Sequence, residues 1–94
     1  MTGTTMTSAG LDARRKRLLF RSWHRGIREM DLVLGTFADR EIASLENLAL
    51  DEYERLLGAD DQDLIKWVTG EAPVPAAFDT PLFARIRRYS ADKN

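Results

Sequence analysis

Between residues 25 and 31 four ionisable side chains of both signs crowd around one glycine: Arg25, Gly26, Arg28, Glu29 and Asp31, with His24 just ahead of them. Guanidinium and carboxylate groups make charge-assisted hydrogen bonds, which are strong and directional and suit recognition of a partner's ions or backbone. They do not by themselves make or break covalent bonds. The sequence offers no nucleophile beside a base, no glycine-rich phosphate cradle and no metal-ligand spacing. With no Cys and a single His, it also excludes disulfides, thiolate metal sites and His-based metal clusters. The chemistry on offer is binding.

Other charged runs compete for attention. Asp60, Asp61 and Asp63 suggest a cation site, but a helix N-terminus favours the same carboxylates, so no metal ligand is assigned. The run Arg14-Arg15-Lys16-Arg17 invites a nucleic-acid reading. Against it stand a pI near 5.8 and a middle segment, residues 29 to 63, with eleven acids and two bases. No basic recognition helix of a helix-turn-helix pair is legible either. A solvated helix face or a protein-docking face accounts for the run better. The net charge of −1 thus conceals a basic front and an acidic middle, an asymmetry that orients a partner and speeds encounter.

The elements that must position these groups are helical. Asp12 is a good N-cap for a first helix reaching about His24, with Leu19, Phe20, Trp23 and Ile27 on one arc and Arg14, Arg17, Arg21 and Arg25 on another. Gly26 follows as a helix-ending residue expected in the left-handed conformation. A second helix starts near Arg28, with Met30, Val33, Leu34 and Phe37 as its buried stripe; Gly35 is its weak point, where it either ends or runs on toward Ile42. A third runs from about Leu50 to Leu57, poorly capped by Ala49 and stopped at Gly58. Asp60 or Asp61 caps a fourth that ends at Gly70. Thr80 and Pro81 open the last, with Leu82, Phe83, Ile86 and Tyr89 inward. Trp23 and Trp67 read as core anchors, and His24 as a helix-end residue whose imidazolium suits the dipole. The expected fold is all-α, a compact antiparallel bundle of five short helices.

One domain fits a chain of 94 residues. Residues 1–11 read as a disordered tail of small polar residues without the marks of a signal or transit peptide, 12–90 as the helical domain, and 91–94 as a frayed end. No apolar run approaches a membrane span, so no direct membrane insertion is expected. The expected location is a bacterial-type cytoplasm.

The stretch RGIREMDLVLGTFAD resembles the signature of the SdhE family of FAD assembly factors, called succinate dehydrogenase assembly factor 2 in mitochondria. Its hallmark Arg-Gly-x-x-Glu is matched by Arg25, Gly26 and Glu29, followed by Met30-Asp31, Val33-Leu34 and Phe37. YERLLGADDQDLIKWVTG is similar to the family's second block, and TPLFARIRRY to the last helix of bacterial members. The resemblance covers about residues 12 to 90, both blocks in order. Ala49 departs from the pattern, where many members carry a capping Ser.

The resemblance implies a five-helix assembly factor that binds the flavoprotein subunit of succinate dehydrogenase, and in some bacteria of fumarate reductase, and promotes covalent attachment of FAD. The factor would hold no cofactor of its own and would act on FAD bound to the client, as a monomer when free. Arg25, Gly26 and Glu29 would form the client-binding motif; Arg28, Asp31, Arg21, Arg17 and His24 would belong to the surrounding interface, with Arg14 extending it. Two other classes stay open at this stage: a small nucleic-acid-binding module using the basic first helix, and an enzyme that transfers FAD itself.

Overall fold

The structure, a computed structural model, describes residues 10–91. The expected tail over residues 1–9 and the chain end over 92–94 lie outside the described residues; Leu11, assigned to the tail, packs against the core. Five α-helices follow in order: α1 Ala13–Trp23, α2 Arg28–Glu41, α3 Asn47–Leu57, α4 Asp61–Thr69 and α5 Pro81–Ala91. Single 3-10 turns, Ile42–Ser44 and Ala76–Phe78, precede α3 and α5. No strand occurs among the described residues. The all-α fold is as expected.

Most boundaries follow local chemistry. The Asp12 side chain accepts the Arg15 N–H to start α1, and Asp60 accepts the Gln62 N–H to start α4. Thr80 Oγ1 accepts the Phe83 N–H at the head of α5. Gly70 ends α4 at φ +85°, a left-handed cap that a Cβ would strain. Two expectations fail, at α3 and α1, and of the two ends left open for α2 the longer one holds. α3 begins at Asn47 rather than Leu50, with Glu46 at the N-cap and no side-chain cap bond, so Ala49 is not the cap. Gly35 does not break α2. Its missing Cβ lets the Trp23 ring lie against the helix, where a Cβ would sit 2.3 Å from Trp23 Cδ2. The buried arc of α1 is centred on Leu18, Leu19 and Ser22, whereas Phe20 is 61% exposed. A polar residue at the centre misled the pattern: Ser22 Oγ donates to Leu18 O and meets Tyr53 Oη at 2.5 Å, so its hydroxyl is satisfied inside.

Around α2 the other elements assemble. Its buried face, Met30, Val33, Leu34, Phe37 and Ala38, packs against α1, α5 and α4. Phe37 meets Tyr53 of α3 and the edge of Tyr89 from α5, at ring distances of 5.2 and 5.6 Å. Tyr53 is fully buried, and its single hydroxyl proton lies between Ser22 Oγ at 2.5 Å and Leu34 O at 3.3 Å, a polar knot inside the core. Around the rim, Arg14 pairs with Asp51 and Glu54 of α3, while Arg15 reaches Ile42 O and Leu45 O. Two of the basic residues at the front of α1 are therefore internal fastenings.

Candidate functional site: the corner between α1 and α2

The four residues His24 to Ile27 join α1 to α2, and their geometry is set by carboxylates from elsewhere. Asp61, at the first position of α4, takes two donors at once: Arg25 Nε at 2.8 Å and the Gly26 N–H at 2.8 Å. The rest of the Arg25 fork donates to Leu57 O at 2.8 Å and Ala59 O at 3.2 Å, two carbonyls that the end of α3 leaves free. Asp31, in the first turn of α2, accepts the Arg25 N–H at 2.6 Å. One arginine and two aspartates thus weld the α1–α2 corner to the α3–α4 connection. The Arg25 side chain is 9% exposed and its partner Asp61 17%.

These contacts bear on three residues of the motif, and at Gly26 they correct the expected left-handed conformation. Arg25 does not stand out toward a partner; its fork is filled by Asp61 and two carbonyls of its own chain. Asp31 likewise serves the corner internally. Gly26 does not adopt a positive φ, since Gly70 alone does among the described glycines. A Cβ built on Gly26 would meet only Asp61 Oδ2, at an ordinary 3.7 Å. Its own fold therefore leaves room for a side chain at this position. The glycine's bareness matters outward, where Gly26 is exposed.

Beside it, Arg28 and Glu29 open α2 and are both exposed. Neither makes a side-chain hydrogen bond or ion pair among the described residues, and Glu29 is favourably placed at a helix start. His24 Nδ1–H donates to Phe20 O at 2.7 Å, and its ring stacks on Phe20 at 3.8 Å. Arg17 is exposed and Arg21 half-buried on the outer side of α1, again without an acidic partner among the described residues. Of the residues assigned to a site, Glu29, Arg28, His24 and Arg17 are exposed together with Gly26 and Arg21 is half-buried, while Arg25 and Asp31 hold the corner from within.

Reading along the chain missed Asp61 as part of this corner. It lies 36 residues from Arg25, and its sequence context signals a helix start. Two of the three acidic residues have structural duties: Asp60 caps α4 and Asp61 fastens the corner. The arrangement can hold a rigid polar edge against another surface. No bond-making pair of groups converges on it.

Residues 16–90 match the family described as flavinator of succinate dehydrogenase. The chain is 37% identical over 87 residues to a mitochondrial succinate dehydrogenase assembly factor 2 of Candida glabrata, covering 88% of this chain and 57% of that protein. It is 46% identical over 69 residues to the Aspergillus terreus protein of the same name, covering 71% of this chain and 23% of that one. A bacterial relative, the FAD assembly factor SdhE of Acetobacter pasteurianus, is 36% identical over 76 residues, 81% of this chain and 70% of its own length. The chain thus spans just over half of the Candida relative and about a quarter of the Aspergillus one. From the match over residues 16–90 and the bacterial likeness, this chain belongs to the family of flavinators of succinate dehydrogenase.

Proposed function

We propose that the protein is a non-catalytic assembly factor that binds the flavoprotein subunit of succinate dehydrogenase and promotes covalent attachment of FAD to it. The names of its relatives support the client and the task. The observation that carries the docking role is the corner itself: Arg25 and Asp61 clamp the backbone so that bare Gly26 and the unpaired Arg28 and Glu29 stand outward. Fumarate reductase, related by its flavin linkage, is proposed as a second client. The factor acts as a monomer, in the compartment of its client, which for a bacterial-type chain is the cytoplasm.

In this reading the client and its FAD would supply the bond-making that joins a client His to the 8α carbon of the ring, and no residue of this chain takes part in it. The factor holds no cofactor. It contributes by binding one arrangement of the FAD-loaded client more tightly than others, so that the His and the ring meet in near-attack geometry. A binder shifts a conformational equilibrium only by its differential affinity, and about 2.7 kcal/mol of preference gives roughly a hundredfold bias. Glu29 and Arg28 make charge-assisted bonds to the client, and the absence of a side chain at Gly26 lets the two backbones approach. Arg25 acts one step back, as the strut of the corner.

Co-expression of the flavoprotein subunit with and without this protein, followed by a denaturing gel under ultraviolet light, tests the proposal. Bound fluorescence that depends on the factor supports it; equal fluorescence without the factor overturns it. Equilibrium dialysis against free FAD separates an FAD-transferring enzyme, which would retain the flavin, from an assembly factor, which would not.

A further inference from the structure

The outer side of α1 carries a feature that the Arg-Gly-x-x-Glu corner does not use. Lys16, Arg17, Phe20 and Arg21 fall within an arc of about 140° at helical spacing. Lys16, Arg17 and Phe20 are exposed and Arg21 is half-buried. None of the three cations meets a carboxylate within 4.0 Å among the described residues, whereas Arg14 and Arg15, toward the inner side, are both engaged. In the midst of these charges stands Phe20, a large apolar ring 61% exposed.

The ring is braced. His24 stacks on it at 3.8 Å with 18° between the planes, and His24 Nδ1–H donates to Phe20 O at 2.7 Å. The two rings form a stacked pair at the end of α1, where the chain runs straight into the corner. A single exposed apolar residue needs no explanation, but a stacked aromatic pair beside unpaired cations has the composition of an interface centre.

We infer that Phe20, braced by His24, is the apolar anchor of a cationic docking face along α1, and that it fits an apolar recess rimmed by carboxylates on the flavoprotein. The inference rests on the client reading above and specifies the chemistry of that contact. The unpaired cations set the sign of the rim, and the uncharged ring sets its centre. Of the two roles, the ring fixes the lifetime of the complex, because buried aromatic anchors act mainly on dissociation. The cations govern encounter and give the binding its salt dependence.

Titration of the FAD-loaded flavoprotein subunit with the full-length factor tests this, using wild type, Phe20→Ser, Arg17→Glu/Arg21→Glu and Glu29→Ala at two ionic strengths. Phe20→Ser is expected to weaken binding by about tenfold or more, with the salt dependence kept and the melting temperature unchanged, since the ring is outside the core. Arg17→Glu/Arg21→Glu is expected to weaken binding and flatten its salt dependence. If Phe20→Ser binds within about twofold of wild type while Glu29→Ala is impaired, the anchor is refuted and the corner stands. If the wild-type factor fails to bind the flavoprotein, or binds duplex DNA in its place, the client reading and this inference fall together.

Discussion

At the residue scale the two charged members of the hallmark have opposite employments. Arg25 spends its fork on Asp61 and two carbonyls of its own chain, whereas Glu29 is exposed and unpaired. Their substitutions should therefore fail differently. Arg25→Ala leaves Asp61 without its charged partner and two carbonyls without donors, and should lower unfolding stability by on the order of 3 kcal/mol in a urea titration. Glu29→Ala should leave stability within about 0.5 kcal/mol of wild type and impair only client binding. Gly26→Ala should be neutral or slightly stabilising, since its φ is not positive and the added Cβ meets only Asp61 Oδ2 at 3.7 Å. Spacing in the sequence located this cluster correctly but could not sort inward from outward charges. What sorts them is Asp61, which lies in another connection and reads locally as nothing more than a helix start.

At the element scale α2 is held at its middle and at its C-terminal end by contacts its periodicity does not show. At the middle Gly35 receives the Trp23 ring, whose Nε1–H also donates to Asp39 at 3.3 Å. Gly35→Ala should destabilise by about 1–3 kcal/mol, measured by thermal unfolding, although alanine is the better helix former, because overpacking outweighs propensity here. At the C-terminal end Glu41 accepts from Arg85 and, at 2.6 Å, from Tyr89 Oη of α5. Burial and then the Glu41 carboxylate push the Tyr89 phenol up to about 12. A folded value above the ordinary 10.0 means that its contribution to stability is complete below pH 10 and is lost as pH rises through 12. Burial pushes fully buried Tyr53 up as well, the same sign. Alkaline unfolding should accordingly set in as the phenols are forced to ionise. Tyr89→Phe should flatten the fall of melting temperature between about pH 10 and pH 12 without abolishing it. Helix starts at Asp12, Asp60 and Thr80 were legible because capping is local. The role of Gly35 was not, because a glycine's neighbours across a helix pair leave no trace in its own segment. The burial of Ser22 escaped for a related reason, since a polar residue breaks an apolar pattern unless its distant partner Tyr53 is known.

Over the whole molecule the charge asymmetry of the sequence becomes partly internal. Arg14 and Arg15 are fastened to α3 and to the turn after α2, and Arg25 to the α3–α4 connection. What remains unpaired in the described residues of the basic front is Lys16, Arg17, Arg21 and Arg28, on the outer side of α1 and at the start of α2. The fold thus consumes the cations nearest the bundle and leaves the others beside a bare glycine. Raising ionic strength should slow association with the flavoprotein while changing dissociation little, a split that stopped-flow or surface-binding kinetics would read. The five-helix architecture and the position of the corner were both readable from periodicity and punctuation; the weld between two distant connections was not. The central claim is that the outward edge of the corner, Gly26 with Arg28 and Glu29, docks a client and is dispensable for folding, whereas Arg25 and Asp61 hold it in place. Gly26→Arg tests it most directly, because Gly26 is exposed and a Cβ there makes only an ordinary contact, whereas the proposed interface needs the position bare. The account predicts far-UV helicity and melting temperature close to wild type, with covalent flavin on the co-expressed flavoprotein subunit lost. A Gly26→Arg protein that is folded and still yields wild-type covalent flavin would contradict it.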